Sequence, residues 1–301
     1  MKEWLNNATW ALGVRLRNSA KRAGLLGHLE PVILTMAQKL IPPPQREVEV
    51  TLPLGIRMVV PPGYPAARSF AAGCYEEDVT QLFESIVKEG MTVIDLGANI
   101  GYYTLLASRL VGIGGRVYAF EPDARTYEYL CRNIQANDCR NVIMINKAAS
   151  DKTGAAFLIR DTRSDEKNWL SSRPPSDVSI IVHTVTLDEF FEREGWPSID
   201  LVKIDIEGSE NAALNGMQVL CRRNPLMQIV MEWDVSYIKR SGGTVEELAS
   251  TLRKAGFIKA YVIEWGLKPV SLAGELPRTA GYYNLLVRQG IQEHSVPPKG
   301  A

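Results

Sequence analysis

The apolar residues downstream of residue 90 follow two alternating patterns. Short runs rich in β-branched and aromatic residues indicate strands, and stretches in which apolar residues recur every three or four positions indicate helices. The predicted strands are 91–95, 115–120, 141–147, 199–205, 226–232, 257–264 and 282–288, and the predicted helices are 101–111, 123–137, 209–222 and 244–255. Strands that alternate with helices favour parallel β-α-β units in an α/β fold.

The C-terminal end of the pattern departs from this rule. Strands 257–264 and 282–288 are separated by a connection that is broken by Gly266, Pro269, Gly274 and Pro277, which leaves no room for a clear helix. We therefore expect an antiparallel hairpin at the edge of the sheet. The predicted architecture is a Rossmann-like, mostly parallel sheet of seven strands that ends in this hairpin.

The residues upstream of the main pattern are interpreted as an extension. A helical region ends at the prolines 42–44, and two β-rich runs, 48–54 and 56–60, indicate a hairpin. The predicted organisation is an N-terminal extension over residues 1–70 (helical, then a short β-hairpin), a main domain over 71–290 and a flexible tail over 291–301.

Three further segments belong to the main domain. A helix over 75–88 precedes the first strand, with Gly90 as its stop. Runs 155–160 and 178–185 indicate further strands. The polar segment between them, 161–177, contains serine, proline and charged residues, and we predict that it is an exposed, mobile loop.

The composition argues against several classes of function. Lysine plus arginine and aspartate plus glutamate both total 34, so the chain lacks a basic field for a nucleic-acid backbone, and we predict no nucleic-acid partner. The four cysteines include no Cys-x-x-Cys pair, and the three histidines lie far apart in sequence. This indicates neither a zinc site nor a disulfide framework.

The hydropathy pattern predicts a cytoplasmic protein. No window approaches the about 20 consecutive apolar residues that cross a bilayer, and the amino end lacks a signal-peptide core. Residues 1–40 mix tryptophan and leucine with arginine and lysine, a composition compatible with weak contact to a membrane surface. The favoured alternative is a helix that covers its own domain.

The first strand leads into a glycine-bearing turn, with the sequence Asp95-Leu96-Gly97-Ala98-Asn99-Ile100-Gly101. Such a turn before a helix holds nucleoside-bearing cofactors, because its backbone N–H groups favour an anion. The dinucleotide fingerprint requires Gly-x-Gly-x-x-Gly, and Asn99 interrupts it. Asp95 repels a pyrophosphate but suits the ammonium group of an amino-acid-bearing cofactor.

Two other strand ends carry candidate cofactor contacts. Glu121-Pro122 follows the second strand, where a carboxylate accepts hydrogen bonds from ribose hydroxyls. A glutamate that caps the next helix is the alternative. The small residues around Ala148 at the end of the third strand suit the edge of an adenine ring, although any strand-to-turn transition has a similar composition.

The fourth strand contains Lys203 and Asp205, and Glu207 follows it. Charges inside a sheet are costly to bury unless they are paired or functional, and the carboxyl ends of parallel strands are where α/β sheets bind ligands. The alternative is a structural Lys203–Asp205 ion pair, with Glu207 and Glu210 as favourable charges at a helix N-terminus.

These motifs resemble, in order and in register, the FkbM-type family of S-adenosylmethionine-dependent methyltransferases. The resemblance covers residues 75–235, and it rests on Tyr75-Glu76, the segment 93–104, Phe120-Glu121-Pro122, Asn133 with Asn137, Thr186-Leu187-Asp188 and the segment 203–210. It implies a class I methyltransferase fold, S-adenosylmethionine as cofactor, and O-methylation of a hydroxyl on a sugar, polyketide or other small metabolite.

On this basis we predict two groups of site residues. The cofactor-binding residues are Glu76, Asp95, Gly97, Ala98, Asn99, Gly101, Tyr102, Glu121, Pro122, Ala148 and Asp205. Methyl transfer to an alcohol needs in-line positioning and a general base. Asp205 is the first choice for the base or for orienting the acceptor, Glu207 is the second, and Lys203 tunes either.

Other interpretations stay open. A metal-assisted variant would use Asp205 with Glu232 or Asp234, but oxygen-only sites leave little spacing signature, and no metal is predicted. A nicotinamide-dependent oxidoreductase is opposed by Asn99 and Asp95, and a noncatalytic cofactor-binding protein is the third possibility.

The sequence Pro61-Pro62-Gly63-Tyr64 faintly resembles the Asn-Pro-Pro-Tyr motif of amino-methyltransferases, and we interpret it as a turn that is not beside the cofactor.

Overall fold

The computed structural model describes residues 44–73, 75–160, 168–171, 179–272 and 282–290. The predicted helical region over 1–40 and the predicted tail over 291–301 lie outside the described residues. In the described ranges, no helix has both the length and the apolar character needed to cross a membrane.

The described chain begins with the predicted β-hairpin. Strands β1 (Val48–Thr51) and β2 (Arg57–Val60) pair antiparallel around a 3-10 turn at Pro53–Gly55. Two helices follow, α1 (Ala67–Ala72) and α2 (Glu77–Ile86). The second is the helix predicted over 75–88, and it buries Val79, Leu82 and Phe83.

The central part of the chain alternates strands and helices. Its elements are β3 (Thr92–Leu96), α3 (Tyr102–Val111), β4 (Arg116–Phe120), α4 (Ala124–Ala136), β5 (Val142–Ile145), β6 (Ala148–Ala149), β7 (Gly154–Arg160), β8 (Asn168–Ser171), β9 (Ser179–Val185) and α5 (Leu187–Arg193). The C-terminal part contains β10 (Leu201–Ile204), α6 (Glu210–Asn215), α7 (Gln218–Arg223), β11 (Gln228–Asp234), α8 (Val235–Arg240), α9 (Val245–Lys254), β12 (Phe257–Val262), β13 (Lys268–Val270) and β14 (Tyr282–Gln289).

The main sheet has the strand order β13-β12-β14-β11-β10-β3-β4-β5. Strands β11, β10, β3, β4 and β5 are mutually parallel, and β14 runs antiparallel to both of its neighbours, β11 and β12. This mostly parallel sheet with an antiparallel terminal pair confirms the predicted class I methyltransferase architecture. The order places β14 between β11 and β12, inside the sheet.

An eighth strand, β13, was not predicted and takes the edge position next to β12. It lies in the connection that the prolines and glycines were expected to leave without a helix. Its central residue is Pro269, which lacks an N–H group and is therefore tolerated only where a strand has a free edge.

The predicted strands 155–160 and 178–185 form a second, separate sheet with the order β6-β9-β7-β8. Strand β8 pairs antiparallel with β7, so the expectation of a loop throughout 161–177 is wrong for residues 168–171. The physical reason is an apolar residue in a polar segment, since Leu170 packs against the small core of Ala148, Leu158 and Val182. Residues 161–167 and 172–178 lie outside the described part of the chain.

The predicted helix over 209–222 is divided into α6 and α7. Gly216 lies at the break, where a Cβ atom would overlap the backbone oxygen of Ser150. The carboxylate of Asp188 then accepts hydrogen bonds from the backbone N–H groups of Val219 and Leu220 at 3.0 and 2.8 Å, which caps the start of α7. Close packing and this cap both favour two short helices over one long one.

The hairpin shares a core with the main domain. Met58 and Val60 are buried in the same apolar cluster as Val93 and Leu105. The Asn133 side chain accepts a hydrogen bond from the backbone N–H of Val59 at 2.7 Å and donates one to its carbonyl oxygen at 3.0 Å. The domain boundary near residue 70 stays a prediction.

Candidate active site

The turn after β3 lies directly against the end of β10. Gly97 adopts a left-handed conformation with φ of 82°, and a Cβ atom there would overlap the backbone oxygen of Asp205. The backbone N–H of Asp205 in turn donates to the carbonyl oxygen of Leu96 at 3.0 Å. Glycine at this position therefore allows the ends of the two neighbouring strands to meet.

Asn99 holds the middle of the same turn. Its φ is 52°, a left-handed conformation that asparagine tolerates better than most residues. Its side-chain oxygen accepts hydrogen bonds from the backbone N–H of Ile100 at 2.8 Å and from the Tyr64 hydroxyl at 3.1 Å. The Pro61–Tyr64 turn follows β2 directly, and through the Tyr64 hydroxyl it contacts the predicted cofactor turn. This is contrary to our interpretation that it does not lie beside the cofactor.

Glu121 is held in place by the backbone at both carboxylate oxygens. One oxygen accepts from the N–H of Asn99 and the other from the N–H of Asp123, each at 2.9 Å. The residue is 7% exposed, and burial raises the pKa of this carboxyl to about 8, although the two N–H groups oppose the shift. Each oxygen has a second lone pair with which it can accept a further hydrogen bond.

A cleft opens at the carboxyl ends of β3, β4 and β10. It encloses about 590 Å³ of empty space, including the part that is open to solvent. The predicted site residues that line it are Gly97, Asn99, Glu121, Pro122, Ala148, Asp205 and Glu207. The second sheet contributes an apolar wall that includes Leu158 and Leu170, which sequence reasoning missed because Leu170 stands alone in a polar segment.

Asp95 lies near this cleft but does not line it in the described structure. It is 2% exposed, and one carboxylate oxygen accepts from the Thr104 hydroxyl at 2.6 Å. The other oxygen has no hydrogen-bond partner among the residues that the structure describes. Burial raises the pKa of Asp95, and the neighbouring Lys203 opposes that rise.

Lys203 and Asp205 form a partly buried ion pair, in which Lys203 is the buried member. Residue 203 lies opposite Asp95 in the parallel register of β10 and β3, and its ammonium nitrogen is 2.7 Å from Oδ2 of Asp205. The same nitrogen lies 4.5 Å from the centre of the Tyr103 ring. Burial lowers the pKa of Lys203, but the surrounding carboxylates outweigh it and the net shift is upward. The structural ion pair and the position of Asp205 on the cleft therefore coexist.

Glu76 and Tyr102 belong to an aromatic cluster beside the ion pair. The Tyr103 hydroxyl donates to Glu76 at 2.8 Å, and burial raises the pKa of Glu76. Tyr102 is 7% exposed and stacks on Phe70 with ring centres 5.2 Å apart. Among the described residues, Glu76, Ala98, Gly101, Tyr102 and Lys203 do not line the cleft.

A third group of carboxylates lies at the ends of β10 and β11. Asp205, Glu207 and Glu232 each offer an oxygen, and these three oxygens lie within 4.8 Å of one another. Glu210 is buried nearby, where its carboxylate accepts from the N–H of Gly208 at 3.0 Å and burial raises its pKa to about 7. The sequence analysis considered Glu232 only as a ligand in the metal-assisted alternative.

The chain matches the family model described as the methyltransferase FkbM domain over residues 95–259. It is 28% identical over 143 residues to the hexuronic acid methyltransferase AglP of Haloferax volcanii, a match that covers 47% of this chain and 56% of that protein. A protein-L-isoaspartate O-methyltransferase of Methanothrix thermoacetophila is 37% identical over 59 residues, which cover 20% of this chain and 28% of that protein. The chain thus spans little more than half of the first curated relative and less of the second.

The solved structures that the chain matches include methyltransferases. A SAM-dependent O-methyltransferase of Thermotoga maritima has 15% identity and a TM-score of 0.41, with 73% of this chain and 67% of that chain covered. Fibrillarin of Aeropyrum pernix with bound S-adenosyl-L-methionine has 17% identity and a TM-score of 0.41, with 70% of this chain and 74% of that chain covered.

Proposed function

The chain belongs to the family of methyltransferase FkbM domains, and from this premise we propose that it transfers the methyl group of S-adenosylmethionine to a hydroxyl oxygen of a small-molecule or glycan acceptor. One observation carries the proposal. Glu121 and Asp205, which follow two strands on either side of β3, line one cleft together with the turn that contains Gly97. This is the switch-point position at which open α/β sheets bind their ligands.

The residues of the cleft fit S-adenosylmethionine. The two oxygens of Glu121 are oriented by backbone N–H groups, and in the ionised form of this carboxyl both can accept further hydrogen bonds from ribose hydroxyls. Ala148, Leu158 and Leu170 supply apolar surface for an adenine ring. The carboxylates of Asp95 and Asp205 suit the positive charge of an amino-acid moiety. When bound, the cofactor supplies an electrophilic methyl group on sulfur.

Asp205 and Glu207 are assigned to the acceptor. S-adenosylmethionine would supply the methyl group to the acceptor oxygen, and a carboxylate of this chain would take the proton of the acceptor hydroxyl. Asp205 is our first choice for that carboxylate and Glu207 is our second. Lys203 fixes the Asp205 side chain through the 2.7 Å ion pair, which leaves Oδ1 of Asp205 for the substrate. Positioning of the nucleophile then supplies much of the rate.

A sugar is the acceptor class that we favour, because a hexuronic acid methyltransferase is among the relatives. The nicotinamide alternative is disfavoured by Asn99, which occupies the place of the second glycine in the dinucleotide fingerprint. Its φ of 52° and its hydrogen bonds to Tyr64 and Ile100 give this asparagine a defined place in the turn.

The test is calorimetry followed by product analysis. We expect the protein to bind S-adenosylhomocysteine but not NAD, and to transfer label from methyl-labelled S-adenosylmethionine to a sugar hydroxyl in a panel of glycans and small hydroxylated metabolites. The exposed Glu192 provides a control variant, Glu192→Gln, that should behave as the wild type. Folded protein that binds NAD and not S-adenosylhomocysteine would refute the proposal, and cofactor binding without turnover on the panel would favour the noncatalytic alternative.

A further inference from the structure

We propose that Asp205, Glu207 and Glu232 form a binding site for a hard divalent cation such as Mg²⁺ or Mn²⁺. The cation would bind the oxygen of the acceptor. This catalytic role rests on the proposed methyl transfer, but the binding of the ion to the three carboxylates does not depend on it. Nothing in the pattern of the sequence alone separates such a site from ordinary acidic residues, because the ligands come from two strands.

The sheet brings the three ligands together. Strands β10 and β11 are parallel neighbours with Ile204 opposite Met231, so the next residues, Asp205 and Glu232, emerge side by side at the same edge. Glu207 follows two residues later. The three oxygens lie within 4.8 Å of one another. Metal–oxygen distances of about 2.0–2.6 Å place opposite ligands about 4–5 Å apart, so one ion fits between them.

Glu232 supplies the second, independent observation. Its residue exposure is 8%, and in the part of the chain that the structure describes its carboxylate neither accepts a hydrogen bond nor forms an ion pair. Its oxygen nevertheless points into the group formed with Asp205 and Glu207. Buried carboxylates are normally paired, hydrogen-bonded or bound to a metal, and Glu232 has neither of the first two.

The charges around the group favour a cation over a protein partner. The Lys203 ammonium group bonds Oδ2 of Asp205 and lies against the Tyr103 ring, which leaves the other oxygen of Asp205 outside that ion pair. An all-oxygen ligand set selects Mg²⁺, Mn²⁺ or Ca²⁺ over softer metals. A bound cation would polarise an acceptor hydroxyl, and it would also reduce the repulsion of an acidic sugar by three carboxylates.

In the experiment, the full chain is first treated with a chelator to remove bound metal. It is then titrated with Mn²⁺ in the absence of any cofactor, and binding is measured by electron paramagnetic resonance. We expect a single Mn²⁺ per chain, displaced by Mg²⁺, and affinity at least about tenfold weaker in Glu232→Gln. Asp234, the other ligand considered from the sequence, instead caps α8 by accepting from the backbone N–H groups of Ser236 and Tyr237. Asp234→Asn is therefore the matched control, because asparagine preserves that cap. This control should bind Mn²⁺ as the wild type does.

Several results would overturn the proposal. These are no Mn²⁺ binding by the folded wild type, or unchanged affinity in Glu232→Gln. If Glu232→Gln does not fold, as judged by circular dichroism, Glu207→Gln provides the same test at a less buried position. Binding of S-adenosylhomocysteine is measured on the same samples: cofactor binding without Mn²⁺ binding refutes only the cation site, and Mn²⁺ binding without methyl transfer refutes only the proposed function.

Discussion

The two ends of the cleft hold their carboxylates in different ways. At the Glu121 end, both oxygens accept backbone N–H groups at 2.9 Å, so the geometry is set before any ligand arrives. At the Asp205 end, three carboxylates converge within 4.8 Å, and the buried ammonium of Lys203 is bonded to one of them. The first arrangement suits a fixed ligand such as a cofactor, and the second suits a site where charge changes during the reaction.

The largest expected effect concerns the acidic end. We expect Asp205→Asn to lower kcat by about 10²–10⁴-fold, the range for loss of a general base, while the affinity for S-adenosylhomocysteine changes much less. Steady-state kinetics and calorimetry on the same protein test this. The exposed Asp78 supplies the control variant Asp78→Asn. A kcat within a few-fold of the wild type would show that the two ends do not differ in role.

The two ends meet at Gly97, whose substitution should affect both. Gly97→Ala introduces a Cβ atom that overlaps the Asp205 carbonyl oxygen at a residue with φ of 82°, and we expect a loss of about 2–5 kcal/mol in the free energy of unfolding. Urea denaturation measures it. Gly114→Ala is the matched control, because a Cβ atom at Gly114 meets nothing within 4 Å. Equal stability of the two variants would contradict this packing.

Glu121→Gln tests the pre-arranged end. A glutamine amide has only one acceptor oxygen, whereas the backbone presents two donors, so one N–H group loses its partner. We expect S-adenosylhomocysteine to bind about 10–100-fold more weakly, in line with hydrogen bonds to charged groups. The effect on kcat at saturating cofactor should be smaller than that of Asp205→Asn. The reverse order would exchange the roles of the two ends.

The smallest effect, taken per pH unit, is a pH dependence of stability. The pKa of Glu121 rises from 4.5 to about 8 on folding, so between these values the folded state binds more protons than the unfolded state. This part of the free energy of unfolding is complete below pH 4.5 and falls as the pH rises to 8, by at most about 1.4 kcal/mol per pH unit. Chemical denaturation from pH 5 to 8 measures the slope.

Glu121→Gln provides the comparison for that slope, because glutamine does not titrate. Glu210, with a pKa raised to about 7, contributes in the same direction, so some slope should remain in the variant. A slope identical to that of the wild type would mean that Glu121 does not hold its proton in the folded protein.

The strongest sequence predictions concern local patterns. The strand and turn around Asp95 to Gly101 and the segment from Lys203 to Glu210 led to the FkbM-type family, which the match over residues 95–259 confirms. The parallel sheet and its antiparallel ending were also predictable, because apolar residues recur with one spacing in strands and with another in helices. The second sheet was not recognised as separate, since β6, β7, β8 and β9 pair over distances that no local pattern encodes.

For the candidate site, the sequence predicted which residues to consider more readily than how they are arranged. Glu121 and Asp205 were expected to share a cavity and do so, whereas Asp95 lies beside the cleft and bonds Thr104. Tyr64 and Leu170 were not foreseen as neighbours of the site. Each depends on a turn or a strand that folds back from a distant part of the chain.

By itself, the sequence determined which elements form and which chemistry the strand ends carry, because periodicity, glycine turns and acidic residues are local properties of the chain. Only the tertiary structure decided which of these groups lie close together, which are buried and which form ion pairs or hydrogen bonds. Strand order placed Glu232 beside Asp205, and register placed Lys203 opposite Asp95. Both Glu121 and Glu232 are buried, but the Glu121 carboxylate accepts from two backbone N–H groups and the Glu232 carboxylate accepts from none among the described residues. That difference arises only when distant strands are packed together.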